Sequence, residues 1–152
     1  MGPSDRRPFR CDIARQIMFE AAARRSGMTI ERTLDEASIA YRFAIDVPVH
    51  DEKRIARARF EDGRGADPRI HVDGPRCLRH RFRNDSLCMW FGPDAESERW
   101  VVGDGLLELV GHIEVHAYCE AECRAGWRWP KAEAPGDHPR PRHCPTCRGR
   151  GS

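Results

Sequence analysis

Met28-Thr-Ile-Glu-Arg-Thr-Leu34, Ile39-Ala-Tyr-Arg-Phe-Ala-Ile-Asp-Val47, Ile55-Ala-Arg-Ala-Arg-Phe60 and Arg69-Ile-His-Val72 follow one another in the first half of the chain. Each piece is short, rich in β-branched and aromatic residues, and bounded by charged residues or by Gly and Pro. That combination marks strands joined by tight connections, because such side chains pack well on a pleated surface while Gly and Pro turn the backbone. Four strands in succession, with connections too short for crossover helices, predict an antiparallel meander. In Ile55 to Phe60 arginines alternate with apolar side chains, so one face of the sheet is expected to meet water. Gly74-Pro75 closes the meander.

Outward from the sheet the period changes. Ile13, Ile17 and Ala21 recur every fourth residue, with Ala14, Met18 and Ala22 beside them and Gly27 as a stop, which predicts an amphipathic helix from Asp12 to Arg25. After the meander, Trp100 reads as an aromatic packing anchor ahead of a turn. Asp104 is then expected to cap a helix from Gly105, whose buried face carries Leu106, Leu109, Val110, Ile113 and Ala117. Beyond Gly126 the composition shifts to Trp127-Arg-Trp-Pro and Ala134-Pro-Gly-Asp-His-Pro-Arg-Pro-Arg142, which has little to bury and is expected to be irregular. The expected organisation is an α+β domain over residues 1–126 and an Arg/Pro-rich tail over residues 127–152.

At 152 residues the chain suits one core with an appendage. A third of the residues are charged, but the signs nearly cancel to +2, which disfavours nucleic acid or an anionic membrane as the partner. The arginine clusters, including Arg76 to Arg83, read as solvated surface. No apolar run approaches membrane-spanning length and Met-Gly-Pro-Ser-Asp-Arg-Arg-Pro lacks the apolar stretch of a signal peptide, so a cytoplasmic protein is expected. Seven cysteines in a reducing compartment divide among core, catalytic and metal-ligand roles rather than disulfides.

Cys88 is the first candidate for chemistry. It lies in His80-Arg-Phe-Arg-Asn-Asp-Ser-Leu-Cys88-Met-Trp-Phe91, where Asn84-Asp85-Ser86 predicts a turn and Leu87 to Phe91 an extended piece. His80, Asn84 and nearby backbone amides are the available donors for an oxyanion formed on attack by the thiolate. The plainer alternatives are a small buried hydrophobe for Cys88 and a loop-pinning hydrogen bond for His80. Cys77, flanked by arginines that would lower its pKa, is the rival nucleophile. A second constellation joins Cys119-x3-Cys123, one turn apart on the long helix, to Cys144-Pro-Thr-Cys147 in the tail. Together they make a four-thiolate structural zinc site, with His116 or His143 as stand-ins, which would order a tail that burial cannot. The plainer alternative is two unconnected pairs.

The succession of histidine, turn, apolar residue, cysteine, tryptophan and long helix resembles the active-site stretch of ubiquitin-conjugating enzymes. The resemblance covers Asp12 to Cys123 as architecture and His80 to Ile113 in detail. This chain departs from the family's His-Pro-Asn triplet, and its His80 stands eight residues before Cys88. It is most similar to the divergent bacterial branch that works in ubiquitin-like conjugation systems, often in antiphage (antiviral) defence. The resemblance implies that Cys88 carries a ubiquitin-like modifier as a thioester, that an activating enzyme supplies it, and that a target lysine receives it. It also implies that the N-terminal helix docks the activating enzyme. Two other classes compete: a catalytically inactive binding module of the same fold, and a zinc-stabilised adaptor for protein or nucleic acid.

Overall fold

The computed structural model describes residues 7–75, 81–82, 84–89 and 99–127. A 3-10 turn, Phe9–Cys11, leads into α1 (Ile13–Arg25), then β1 (Ile30–Leu34), β2 (Ser38–Val47), β3 (Glu52–Glu61) and β4 (Arg69–Val72). A second 3-10 turn, Val102–Asp104, opens α2 (Gly105–Arg124). The strands lie in the order β1-β2-β3-β4, each antiparallel to the next, so the meander predicted from the strand-like runs is the one observed.

Register turns the sequence alternation into two faces. Along β2, Ile39, Tyr41, Phe43, Ile45 and Val47 are buried while Arg42, Ala44 and Asp46 are exposed. Along β3, Ala56, Ala58 and Phe60 are buried and Arg57 is exposed, as the arginine alternation predicts. Residues of α2 meet the inner face: Leu106, Leu109, Val110, Ile113 and Ala117 are all buried in one core with the strand residues. Each large apolar side chain taken out of water there contributes about 1.5–3 kcal/mol. Phe9, Phe19, Tyr41, Phe60 and Trp100 form the aromatic heart, with Phe9 stacked on Phe60 at 4.3 Å and Phe19 edge-on to Tyr41 at 5.0 Å.

Trp100 does the anchoring expected of it. It is buried against Phe19, and its Nε1–H donates to the Gly105 carbonyl at 2.9 Å. Gly105 itself has φ +84°, a left-handed conformation that favours glycine, and it lies against the Phe19 carbonyl oxygen, which a Cβ would meet at an ordinary contact distance of 3.4 Å.

Two expectations are corrected. The face of α1 that packs is Gln16, Phe19, Glu20 and Ala23, whereas Ile13, Ile17 and Met18 are exposed, Met18 at 78%. Burying one Phe in the aromatic cluster outweighs the aliphatic stripe, and the polar groups beside it are satisfied. Gln16 Nε2 donates to the carbonyls of Phe9 and Arg10, and Glu20 accepts from Arg24 and Arg32. Asp104 makes no side-chain cap to α2; its carboxylate turns back to accept from the Val101 amide at 2.8 Å, closing the preceding turn. Among the described residues no helix is long and apolar enough to cross a membrane.

Candidate active site

The turn before Cys88 is built by short-range hydrogen bonds that its residue types favour. Asn84 Oδ1 accepts from the Ser86 amide at 3.1 Å and from the Ser86 hydroxyl at 2.6 Å, an Asx turn. Asp85 takes φ +67°, a left-handed conformation that short polar side chains tolerate. The Asp85 amide donates to the Phe82 carbonyl, the Phe82 amide to the Ser86 carbonyl, and Arg81 pairs with Leu87 in an antiparallel bridge. The predicted turn is therefore present, as the tip of a small hairpin.

That hairpin is fastened to the body of the protein at three points. The Leu87 amide donates to the Ile70 carbonyl on β4 at 2.8 Å, and the Leu87 side chain enters the core. His71 Nε2 bonds the Asn84 carbonyl oxygen at 3.2 Å. The third point is Arg81. Its Nε and Nη2 donate to the two carboxylate oxygens of Glu120 on α2 at 2.8 and 2.9 Å, and both side chains are 1% exposed. Arg81 Nη1 also reaches the carbonyls of Val72 and Asp85 and the Asp85 carboxylate. Burial opposes the Arg81 charge, but the bonds and fields of Glu120 and Asp85 outweigh it and hold its pKa above the ordinary value.

Cys88 follows Leu87 directly and is half-buried. Burial pushes its thiol pKa up, because a thiolate is poorly solvated there. At neutral pH the sulfur is a protonated thiol that becomes a nucleophile only as a base removes its proton. The Asn84 carbonyl end is committed to the turn, which leaves the amide nitrogen as the donor end of that side chain. His80 and the rival Cys77 lie outside the described residues.

Sequence reasoning missed the residues that hold this segment. Arg81 was one of a cluster read as solvated surface, yet it is among the most buried side chains. The missed signal was Glu120: it lies three residues after Ala117 and seven after Ile113, on the same buried stripe of α2, where a carboxylate demands a cation. Arg54 is a second such case, its side chain 3% exposed, donating to Glu52 and to the Pro75 carbonyl.

Cys119 and Cys123 are both buried near the end of α2. His116 Nδ1 sits 3.9 Å from the same Glu120 carboxylate that holds Arg81. Cys144, Cys147 and His143 lie outside the described residues, and among those described no three His, Cys, Asp or Glu side chains gather as metal ligands.

No protein-family model matches the chain, and no curated protein matches it.

Proposed function

We propose that the chain is a ubiquitin-like-protein conjugating enzyme with a ubiquitin-conjugating-enzyme-like domain and Cys88 as its acyl carrier. The observation that carries this is the setting of Cys88: a half-buried thiol immediately after a hairpin fastened to β4 and α2, between a four-stranded meander and a helix anchored by Trp100. A carrier of this kind needs a thiol at a fixed place on a rigid support, since both its donor and its acceptor are large molecules brought to it.

In the first step the Cys88 thiol gives its proton to a solvent base, and the resulting thiolate attacks the thioester carbonyl at the modifier's C-terminus on the activating enzyme. A new C–S bond forms, and the activating enzyme's sulfur leaves as thiolate. In the second, a target lysine amine attacks the Cys88 thioester, the C–N bond forms and Cys88 leaves as thiolate, with the amine's proton passing to solvent or a base. Asn84 through its amide nitrogen, and His80, are the side chains proposed to stabilise the oxyanion in each step. The partial burial of Cys88 suits the holding role, because it limits the access of water to a thioester there. A structural zinc held by Cys119, Cys123, Cys144 and Cys147 completes the proposal; the buried pair one turn apart on α2 supports half of that set.

The same burial also favours a second reading, a binding module of this fold in which Cys88 is packing only. The two part in one assay with activating enzyme, ATP and a ubiquitin-like protein. A carrier acquires a thiol-reducible adduct that Cys88→Ala abolishes and Cys77→Ala leaves intact. A binding module associates with its partner equally well with and without the Cys88 thiol and acquires no adduct.

A further inference from the structure

We infer that Arg81 and Glu120 are positioning residues for the Cys88 thiol, and that the last turns of α2 are the platform on which the thiol-bearing segment is mounted. This assignment rests on the reading of Cys88 as an acyl carrier. The geometry behind it is the convergence of three separate backbone pieces on one guanidinium: α2 through Glu120, the end of β4 through the Val72 carbonyl, and the turn through Asp85. Leu87 is then held by the hydrogen bond from its amide to the Ile70 carbonyl, and Cys88 follows it with no residue between.

Stability alone is a poor explanation for the pair. Two charges withdrawn from water lose about as much in desolvation as they regain from each other, and apolar side chains of similar volume would hold a core as well. What an apolar pair lacks is direction, whereas the planar fork of Arg81 fixes the angle at which the hairpin meets the helix. A second strap repeats the arrangement at the other shoulder of the segment. Buried Arg54 donates to the Pro75 carbonyl and to Glu52, and Glu52 lies 3.6 Å from Arg124, one turn beyond Glu120 on α2. Pro75 and Arg81, which flank the stretch containing Cys77 and His80, are thus both tied to the same end of the same helix.

The test separates position from stability with the double variant Arg81→Met/Glu120→Leu, which keeps the buried volume and removes the directed bonds. Iodoacetamide labelling of the full chain at a series of pH values, read on the Cys88 peptide by mass spectrometry, reports the thiol's surroundings without any partner protein. The expected result is a folded variant by circular dichroism, a Cys88 pH-rate profile displaced to lower pH, labelling at mildly alkaline pH faster by roughly fivefold, and thioester yield reduced on the order of tenfold. Glu120→Gln, which keeps shape and one acceptor, serves if the double variant does not fold; loss of the fold in both makes the pair structural and overturns the assignment. So does a folded variant whose Cys88 profile matches wild type, whatever the thioester assay reads. A displaced profile in a chain whose wild type never accepts a modifier upholds the positioning and removes the acyl-carrier reading instead.

Discussion

A guanidinium and a carboxylate that are each 1% exposed cannot be separated cheaply. Arg81→Met alone leaves Glu120 as a buried charge without its main partner, and we expect a loss of about 3–5 kcal/mol in urea unfolding. The single variant is therefore a stability probe, unlike the double replacement. Cys88 carries a pH signature of the opposite kind. Its thiol keeps its proton to higher pH in the folded protein than in the unfolded chain. The associated stability is then fully present below the thiol's ordinary range and is lost as pH rises through the raised folded value. Labelling of Cys88 should correspondingly climb at higher pH in the folded protein than in the urea-unfolded chain, and labelling read on the Cys88 peptide in the two samples checks this.

At the scale of elements, α1 shows what a period can and cannot specify. Helix and limits were legible, since Asp12 accepts from the Arg15 amide at one end and Gly27, at φ +84°, follows the other. Its packed face was not, because apolar counting ranks Ile13, Ile17 and Met18 above a lone Phe19 and has no knowledge of the aromatic pocket formed by Phe9, Tyr41, Phe60 and Trp100. Phe19→Ala is expected to cost about 3–5 kcal/mol. Ile17→Ser, at a site 62% exposed, is expected to stay within about 0.5 kcal/mol of wild type in the same thermal or urea measurement. The later part of β2, β3 and α2 were read more fully because alternation from Tyr41 to Val47 and from Ala56 to Phe60, and the stripe Leu106, Leu109, Val110, Ile113 and Ala117, coincide with burial, whereas Ser38 and Ala40 are buried off the alternation and Leu34 of β1 is exposed. The straps on the candidate site were not legible, since a buried Arg81 and a surface arginine look alike in a one-dimensional string, and only Glu120's place on the apolar stripe hinted at the difference.

Across the whole molecule, the meander and helices supply a rigid frame, α2 carries the segment ahead of Cys88, and the buried Cys119 and Cys123 lie on that same helix end. Metal analysis of purified protein is expected to find one zinc, with Cys119, Cys123, Cys144 and Cys147 protected from thiol reagents, and chelation is expected to release all four together. Retention of zinc by Cys119→Ser would move a ligand to His116 or His143. The most direct measurement of the central claim is the intact mass of the chain after incubation with a ubiquitin-like protein, its activating enzyme and ATP. The account predicts a single adduct of the modifier's mass less one water, removed by dithiothreitol and absent from Cys88→Ala. A modifier loaded on the activating enzyme's cysteine that never passes to Cys88, or an adduct that survives Cys88→Ala, would contradict it.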